Sequence, residues 1–421
     1  MAANTPLRPG RTLAPLTHSD FRRLWTGTFF ATAGQWIQQA TLGWVVYEIT
    51  GSPTLLGAVI GVRAIPMFVL APVTGYIADR YDKRRALALS QFLMVVISIA
   101  LAALLAFDAV EVWHLFAFSL LSGVGAVFDR TLRNTLVFSS VPRDIVANAV
   151  ALNSIAFSVT RAIGPGIAGF LIASVGAASN FAIQGLLYVG VCLAVLSLSA
   201  PVPPATPRRP ASAWSDIKEG VRFAMTDRVA RVTFITGLVP PLLLIPGFSA
   251  LMPIFAKDIY DAGPEGLGLM LSAVGVGGIV GGVVAAWATR FERTGLVQTL
   301  ALAVFSAAML CFALSPTITF AIVWLAVAGI AEMVHHTIHV TTLQMCAPEH
   351  MRGRMTSLLP LFPACISVGA LFAGALADLL PVDIVVILLV AIALVVVGAA
   401  WMRSSALRHV TLTGLIGNGK P

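Results

Sequence analysis

The chain of 421 residues is too apolar to cover a water-soluble surface. Apolar residues make up 58 % of it and charged residues only 11 %, against about 25 % charged residues in soluble domains. The mean hydropathy of +0.89 excludes a soluble enzyme, a coiled coil and a disordered tail. Because the apolar runs are continuous rather than alternating, they also exclude a transmembrane β-barrel. The composition therefore predicts an all-α membrane protein.

Twelve apolar runs are predicted to be membrane-spanning helices, which need about 20 residues each. Six lie in the first half of the chain, near Trp25–Val46, Thr54–Ile77, Ala86–Phe107, Val112–Phe128, Ala147–Val175 and Phe181–Ser199. Six lie in the second half, near Val232–Phe255, Leu267–Ala288, Leu296–Leu314, Ile318–Gln344, Thr356–Leu379 and Ile384–Trp401. The predicted domains are a six-helix bundle over residues 1–200, a cytoplasmic linker over 201–230, and a second six-helix bundle with a short cytoplasmic tail over 231–421.

The basic residues predict the orientation of the spans. With the N-terminus inside, every lysine and arginine except Arg63, Arg161 and Lys257 falls on the cytoplasmic side or at the inner end of a span. The outer loops carry acidic residues instead, such as Asp108 and Asp258. This asymmetry predicts that both termini are cytoplasmic. It also accounts for the net charge of +8 without nucleic acid as a partner.

The linker combines a proline-rich stretch with a short amphipathic segment. Residues 201–212 are rich in proline and have no folding tendency. Trp214, Ile217, Val221 and Met225 then recur at helical spacing, with charged residues between them. This pattern predicts an amphipathic helix that lies on the inner membrane surface.

The two halves of the chain show a weak internal repeat. The loops that follow the fourth and tenth spans align when Pro142 is placed on Pro348. The same alignment places Asp129 on His335 and Arg133 on His339. Two similar halves imply two pseudo-symmetric bundles around a central cavity, related by an axis along the membrane normal.

The most specific motif joins the second and third spans and reads Gly75-Tyr-Ile-Ala-Asp79-Arg80-Tyr-Asp-Lys-Arg84-Arg. It resembles the signature loop of the major facilitator superfamily, G-x-x-x-D-R-x-G-R-R, and departs from it at Asp82, where glycine is usual. The resemblance implies a conformational switch at the cytoplasmic helix ends, formed by Gly75, Asp79, Arg80 and Arg84. The alternative is a basic loop that reflects membrane topology alone.

A second set of motifs lies in the fourth and fifth spans. It includes Phe-Asp129-Arg-Thr-Leu-Arg133 and Gly164-Pro165-Gly-Ile-Ala-Gly169. With the first motif, it resembles the branch of the superfamily that holds the enterobactin exporter and the macrolide efflux proteins. The resemblance implies that Asp129 and Arg133 belong to the cytoplasmic charge cluster; an ordinary interfacial ion pair is the alternative. Gly164-Pro165 resembles the Gly-Pro motif of antiporters. The alternative is that Gly164, Pro165 and Gly169 serve only to bend and pack the helix.

Several polar residues lie inside predicted spans. An arginine there costs at least about 2.5 kcal/mol, so Arg63 and Arg161 are expected to face a wet cavity or a partner, although Arg63 is also placed to snorkel. Gln35, Gln38 and Gln39 share one face of the first span. In the superfamily this helix lines the cavity, which implies a substrate wall; hydrogen bonding between helices is the alternative.

Prolines mark the seventh span. Pro240, Pro241, Pro246 and Pro253 lie within one apolar run. Proline removes a backbone donor and clashes with the preceding turn. The run is therefore predicted to be bent or broken, as expected of a gate helix that moves.

The tenth span carries an acid and three histidines. Glu332, His335, His336 and His339 are separated by steps that bring them towards one helical face. A carboxyl near the midplane beside histidines, which titrate near neutrality, can take up and release a proton. Glu332, His335 and His336 are predicted to couple transport to protons, and His339 to line the substrate cavity. A polar contact between helices and a metal site of the Glu-x-x-His type are the alternatives.

Taken together, these features predict a secondary transporter that works by alternating access. The branch resemblance favours proton-coupled efflux of small organic molecules, drug-like or siderophore-like, by a monomer in a bacterial-type cytoplasmic membrane. One alternative is uptake of a small anionic nutrient anchored by Arg63 and Arg161; another is a non-transporting sensor or assembly factor. The sequence has no phosphate-binding loop ending in Gly-Lys-Ser/Thr and no recognisable catalytic triad, so neither enzymatic activity nor a cofactor or bound metal is expected.

Overall fold

The computed structural model describes residues 13–199, 213–288, 291–348, 351–356, 358–359 and 361–404. In the first half of the chain the helices are α1 (Ser19–Thr50), α2 (Pro53–Val62), α3 (Ile65–Arg80), α4 (Lys83–Ala106), α5 (Val112–Ser139), α6 (Val146–Val175) and α7 (Ala177–Leu196). In the second half they are α8 (Ala213–Thr226), α9 (Arg228–Val239), α10 (Ile245–Ser249), α11 (Met252–Ile254), α12 (Gly263–Ala288), α13 (Thr294–Ala313), α14 (Ile318–Met345), α15 (Arg352–Thr356), α16 (Leu361–Ala377) and α17 (Val382–Arg403). All regular structure within these residues is helical.

Short polar side chains fix where several helices begin. The Ser52 hydroxyl accepts a hydrogen bond from the backbone N–H of Leu55 at 3.3 Å and caps α2. The Asp82 carboxylate accepts from the N–H of Arg84 at 2.9 Å and caps α4. Asp227 caps α9 in the same way. Each cap satisfies backbone donors that the first helical turn leaves open. Asp82, which departs from the superfamily motif, therefore has a local structural role.

Ten helical stretches within the described residues are long and apolar enough to cross a membrane, so the chain is a multi-pass all-α membrane protein. They coincide with every predicted span except the first and the eleventh. The first predicted span lies in α1, which has 32 residues but is made more polar by its three glutamines. The eleventh contains α16, which has 17 residues.

The second predicted span is not one uninterrupted helix. It divides into α2 and α3 at Arg63 and Ala64. Arg63 is the C-cap residue of α2, and its backbone N–H bonds the carbonyl of Gly61 rather than continuing the helix. The arginine that was predicted to lie within a span is therefore at a helix break, with its side chain partly exposed.

The proline-rich seventh span is broken, as predicted. Residues 228–259 pass from α9 through a π-helical turn at Pro240–Leu244, then through α10 and α11, to a second π-helical turn at Phe255–Ile259. Proline has no backbone N–H to donate to the hydrogen bonds of a regular α-helix. The neighbouring backbone therefore forms the wider turn of a π-helix.

Packing divides the described residues into two units. The first holds residues 13–41 and 65–199, and the second holds residues 42–64 together with the described residues from 213 onward. The predicted domains follow chain order, whereas packing places the end of α1 and all of α2 in the second unit. Glycines explain the close approach of α2 and α16: a Cβ on Gly57 would lie 2.4 Å from the Ala370 carbonyl oxygen, and one on Gly374 would lie 2.3 Å from that of Pro53.

The same helix pairs recur inside each unit. In the first unit α4 packs against α5 and α7, and α3 packs against α5. In the second unit α13 packs against α14 and α17, and α12 packs against α14. α5 and α14 thus occupy corresponding places in the two units, and in the second unit α14 is the central helix.

The linker helix packs differently from its prediction. The sequence predicts that the apolar face of α8 lies on the membrane surface. In the structure, Ala224 of α8 is fully buried in a cluster with Leu343 of α14, and Glu219 forms an ion pair with Arg354 of α15 at 2.7 Å. Apolar side chains of the second unit thus cover that face. The side chain of Trp214 and residues 200–212 lie outside the described residues.

Candidate functional site

An ion pair lies on α5, which packs against α3 and α4 in the first unit. Asp129 and Arg133 are four residues apart and therefore share a helical face. The Arg133 Nε donates to both carboxylate oxygens of Asp129, at 3.0 and 3.2 Å, and Nη2 also donates to Oδ1. The Arg133 side chain is 7 % exposed and that of Asp129 27 %. Forked, charge-assisted bonds of this kind are among the strongest in proteins, so the two charges neutralise each other within the unit.

Two neighbouring helices complete this network. The Gln91 amide of α4 donates to Asp129 Oδ1 at 2.8 Å. The Arg133 Nη1 donates to the Thr28 hydroxyl of α1 at 3.3 Å. Sequence reasoning identified the ion pair but missed Gln91 and Thr28. Gln91 is a long polar residue within an otherwise apolar stretch of α4, and that isolation is the signal that points to it.

A histidine pair lies on α14, the central helix of the second unit. The rings of His335 and His339 stack with an angle of 9° and centroids 5.8 Å apart, and the residues are 3 % and 5 % exposed. The Nδ1 of His335 is 3.3 Å from the backbone carbonyl of Gln298 on α13. Gly237 of α9 makes room for the pair, since a Cβ there would lie 2.1 Å from Cε1 of His339.

Several polar atoms around these histidines lack hydrogen bonds. Within the described residues, the Nε2 of His335, both ring nitrogens of His339 and the hydroxyl of Thr342 are buried without a partner. The Gln298 amide donates to Thr236 at 3.2 Å, but its oxygen also has no partner there. Each unmet buried group costs about 1–3 kcal/mol, and such groups are usually met by water or a ligand. The pair therefore keeps hydrogen-bonding capacity that water or a ligand would meet.

Glu332 and His336 do not share this environment. Glu332 is half-buried and His336 is exposed, whereas His335 and His339 are buried. Successive helix positions turn by about 100°, so His336 projects at an angle to the buried pair. The structure buries two of the four polar residues that the sequence placed towards one face.

The predicted switch is described in part. Gly75 and Asp79 belong to α3, but their side chains lie outside the described part of the chain. Arg80 ends α3 and is exposed. The Arg84 Nη1 donates to the carbonyl of Leu198 at 2.6 Å, which ties the start of α4 to the chain just beyond α7.

An aromatic and cationic group lies between α1 and α6. The guanidinium of Arg161 is 5.7 Å from the centroid of the Trp36 ring, a distance at which cation–π attraction acts. Phe157 meets Trp36 edge to face at 5.5 Å. Gly164 allows this approach, because a Cβ there would lie 2.8 Å from the Cβ of Trp36. The helix continues through Pro165 without a break.

The glutamines of α1 divide into two environments. Gln38 is 1 % exposed and accepts a hydrogen bond from the Gln184 amide of α7 at 2.6 Å. Gln35 and Gln39 are half-buried. Gln38 therefore hydrogen-bonds between helices, while Gln35 and Gln39 are more exposed to the surroundings.

Gly169, which the sequence predicts to pack α6, is buried within that helix.

The fold shows a multi-pass membrane protein, and the family and relatives that match it are transporters rather than enzymes. The sequence matches the family described as transmembrane secretion effector over residues 10–417. The chain belongs to this family. The named relatives that it matches are transporters of the major facilitator superfamily.

Named relatives match most of the chain. It is 27 % identical over 356 residues to the multidrug efflux pump Tap of Mycolicibacterium fortuitum, covering 83 % of this chain and 87 % of the relative. It is 25 % identical to the staphyloferrin A transporter of Staphylococcus aureus, covering 84 % and 88 %. It is 26 % identical to the enterobactin exporter EntS of Shigella boydii, covering 81 % of each.

Solved transporters share the fold at low sequence identity. The nucleoside transporter NupG superposes with a TM-score of 0.73 at 16 % identity, covering 91 % of this chain and 98 % of that one. A bacterial homologue of the human lysosomal transporter Spinster, in an inward-facing and unoccupied conformation, superposes with a TM-score of 0.69 at 14 % identity, covering 96 % and 98 %.

Proposed function

We propose that this protein is a secondary active exporter of small organic molecules, drug-like or siderophore-like, in a bacterial cytoplasmic membrane. The observation that carries the proposal is the similarity, over more than four fifths of the chain, to proteins named as a multidrug efflux pump and an enterobactin exporter. Export then proceeds by alternating access of one binding region to the two sides of the membrane.

The proposed transport unit is a monomer with twelve spans in two six-helix bundles around a central cavity. In this proposal α1 and α16 add the first and eleventh spans to the ten long apolar stretches. The repeated packing of α5 and α14 within their units supports a duplicated architecture. Both termini are cytoplasmic in this arrangement, which the distribution of lysine and arginine supports.

The conformational switch is proposed to lie in the first unit. It would comprise Gly75, Asp79, Arg80 and Arg84 at the junction of α3 and α4, together with the ion pair on α5. The Arg133 side chain bonds side chains from two helices at once, α1 and α5. Hydrogen bonds that join two helices in this way stabilise one arrangement of those helices. They must break or change partners when the helices move to another arrangement.

Proton coupling is proposed to lie in the second unit, at Glu332, His335 and His336. The observation that supports it concerns His335, whose Nε2 is buried without a partner among the described residues, since a group that gains and loses a proton needs changing hydrogen-bond partners. Changing Glu332→Gln should lower pH-driven transport about tenfold or more while sparing substrate exchange at equal pH. The measurement compares both rates in proteoliposomes; full pH-driven transport in this variant would remove Glu332 from the coupling.

Inside-out vesicles test the direction and the driving force. With the vesicle interior acidified, an exporter that exchanges substrate for protons accumulates a labelled multidrug-pump cargo such as ethidium, and a protonophore abolishes the accumulation. Loss of solute under the same gradient would indicate uptake, the second candidate, for which the intramembrane Arg161 is the supporting observation. Absence of movement for a panel of drug-like and siderophore-like solutes would favour a sensor or assembly factor.

A further inference from the structure

Three polar side chains of α14 form a buried row. His335, His339 and Thr342 are spaced by four and three residues and therefore share one helical face. All three are buried. Within the described residues, the Nε2 of His335, both ring nitrogens of His339 and the Thr342 hydroxyl have no hydrogen-bond partner. Because buried polar groups are normally hydrogen-bonded, a row of unmet ones indicates that a polar ligand binds along it.

Bonds to the neighbouring helices identify two hydrogen-bond acceptors beside this row. A backbone carbonyl can only accept, so the Nδ1 of His335, 3.3 Å from the Gln298 carbonyl, carries the ring proton and leaves Nε2 as an acceptor. The Thr236 hydroxyl donates to the Val232 carbonyl at 2.8 Å. Its oxygen therefore accepts from the Gln298 amide at 3.2 Å. The Gln298 Oε1 is then a second acceptor without a partner among the described residues, so the ligand must supply donors.

The spacing along the row fits water molecules as bridges. The rings of His335 and His339 stack with centroids 5.8 Å apart and make no direct hydrogen bond to each other. His339 and Thr342 are separated by three residues, a rise of about 4.5 Å along the helix. Two hydrogen bonds through one water molecule extend about 5–6 Å. Water also supplies both the donors and the acceptors that the row requires.

Packing around His339 favours a ligand as small as water. Phe362 meets its ring edge to face with centroids 4.9 Å apart, and a Cβ on Gly237 would lie 2.1 Å from its Cε1. A drug-like solute would have to displace this packing, whereas a water molecule needs only about 30 Å³. Within the described residues no group of three or more His, Cys, Asp or Glu side chains could hold a metal ion. Water is therefore the ligand that fits.

The acid and the histidines nearest to the row belong to α14 itself. Glu332 and His336 precede and follow His335 on that helix. α13 and α16, which contact the two buried histidines, each contain one cysteine as their only titratable residue. The other helices that pack against α14 carry charged residues at or next to their ends, namely Glu265 of α12, Asp227, Arg228 and Arg231 of α9, and Arg352 and Arg354 of α15.

We propose that His335, His339 and Thr342, together with Gln298, bind a short file of water molecules that carries protons along α14. The inference rests on the proposed proton coupling, because it names the carrier that takes the proton to and from His335. A water donates to the Nε2 of neutral His335. After that nitrogen is protonated, it gives its proton to this water, which passes one proton to the next water, and the ring returns to its neutral Nδ1–H form. In the proposed orientation the file leads towards the cytoplasmic end of α14, with Thr342 as a positioning residue.

Water-edited solid-state NMR tests the water file without any transported solute. The full-length protein is isotope-labelled at histidine and reconstituted in deuterated lipid, and the variants His335→Gln and His339→Gln assign the two ring signals. We expect magnetisation to pass from water to both buried rings as fast as it passes to the exposed ring of His336. Rings of His335 and His339 that receive no magnetisation from water, as expected of side chains in contact with protein alone, overturn the proposal.

Two adjacent threonines provide a matched control. Thr342→Val removes the unmet hydroxyl at nearly constant volume, so pH-driven accumulation of ethidium should fall about fivefold, the fold-change that corresponds to one ordinary hydrogen bond. Thr341→Val removes a hydroxyl that already donates to the Thr337 carbonyl at 2.9 Å, so the same rate should change by less than about twofold. Thr342→Ser keeps the hydroxyl and should behave as the wild type does.

Two further measurements separate positioning of water from a structural role. Exchange of ethidium at equal pH should be unchanged in Thr342→Val, and water transfer to the His339 ring should be slower in that variant than in Thr341→Val. Equal water transfer in the two variants would contradict the role of Thr342. Thermal unfolding verifies that each variant is folded. If Thr342→Val does not fold, water transfer to the two rings of the wild type still decides.

Failure of the water file and failure of the proposed function give different results. Dry histidine rings in a protein whose vesicles accumulate solute overturn the file alone. Water transfer to both rings in a protein that moves no solute under a pH gradient would support the file but overturn proton-coupled export. Loss of exchange at equal pH in Thr342→Val would make the row a substrate site and overturn the file. Water transfer to both rings, with loss of pH-driven accumulation alone in Thr342→Val, supports both.

Discussion

The two units carry different polar side chains at corresponding positions, an ion pair in the first unit and two histidines in the second. On α5, Asp129 and Arg133 form a charged pair whose bonds are met by one another and by Gln91 and Thr28. On α14, the positions that align with this pair carry His335 and His339, which stack together and, within the described residues, leave three ring nitrogens without partners. One pair is neutralised internally, while the other has a partner for only one of its four ring nitrogens within the described residues.

The framework around the two pairs is the same. Each pair contacts a glutamine of the preceding helix, Gln91 or Gln298. Each lies beside a glycine adjacent to a threonine, Gly27 in α1 or Gly237 in α9. The comparison teaches that the helix packing recurs in the two units while the polar side chains at corresponding places differ. The ion pair is neutralised within its unit, whereas the histidine pair keeps ring nitrogens without partners among the described residues, so we infer that the two units have different tasks in one transport cycle.

The largest expected effect comes from breaking the ion pair. Arg133→Gln leaves the Asp129 carboxylate without its cation in a largely buried position. We expect a loss of about 3 kcal/mol in the free energy of unfolding, at the lower end of the range for an orphaned buried charge because Asp129 keeps some exposure. Denaturant unfolding in detergent measures it. The double variant Asp129→Asn with Arg133→Gln should recover part of the loss; a double variant less stable than Arg133→Gln would contradict the pairing.

A smaller effect is expected from filling the space beside each pair. Gly237→Ala would place a methyl group 2.1 Å from His339 Cε1, and the crowding should cost about 1–3 kcal/mol. Gly27→Ala is the matched control in the first unit, because its nearest neighbour would be Ala194 Cβ at 3.4 Å, an ordinary contact. Thermal shifts of the two variants should therefore differ clearly, and equal shifts would refute the close contact at His339.

The histidines should set the pH profile of transport. We expect the double variant His335→Gln with His339→Gln to exchange substrate at equal pH with a rate that no longer depends on pH, because glutamine cannot replace imidazole as a proton acceptor. pH-driven transport should fall about tenfold. The control is Asp129→Asn with Arg133→Gln, in which the pH dependence of exchange should persist. If the pH dependence of exchange persists without both histidines, a different titratable group must cause it.

The smallest effect concerns the end of α14, two turns beyond His339. Burial, with a contribution from the nearby Asp227 carboxylate, raises the pKa of the Cys346 thiol to about 12. Because the thiolate is the reactive form, labelling by iodoacetamide should be slow at pH 8 and rise about tenfold per pH unit. Ser139→Cys, at an exposed position in the first unit, should label about tenfold faster or more at pH 8. Equal rates would show that water reaches Cys346.

Much of the fold could be predicted from the sequence, because each bilayer span must bury its own backbone hydrogen bonds and so requires one long apolar helix. The class of protein, most of the spans and the broken proline-rich helix were predicted in this way. The break at Arg63 was not, since hydropathy reports apolarity and not helix continuity. The packing of α8 was also mispredicted, because an amphipathic face does not reveal whether lipid or protein covers it.

The site was predictable only where the chemistry is local. The four-residue spacing in the sequence was enough to pair Asp129 with Arg133. The partnership of Gln38 with Gln184, and of Trp36 with Arg161, joins helices far apart in the chain, and no local pattern specifies it. The division of the tenth-span histidines between buried and exposed positions depends likewise on the neighbouring helices.

The sequence by itself determined that this protein is an apolar, helical, multi-pass membrane protein, because solvation by lipid acts on each segment separately. Tertiary structure decided which polar groups meet partners and which stay unmet, because that depends on how closely glycines such as Gly164 and Gly237 let helices approach. A hydrogen bond requires donor and acceptor atoms within about 3 Å of each other. A small difference in helix packing therefore decides whether a polar side chain has a partner, as the ion pair on α5 does, or lacks one, as His339 on α14 does within the described residues.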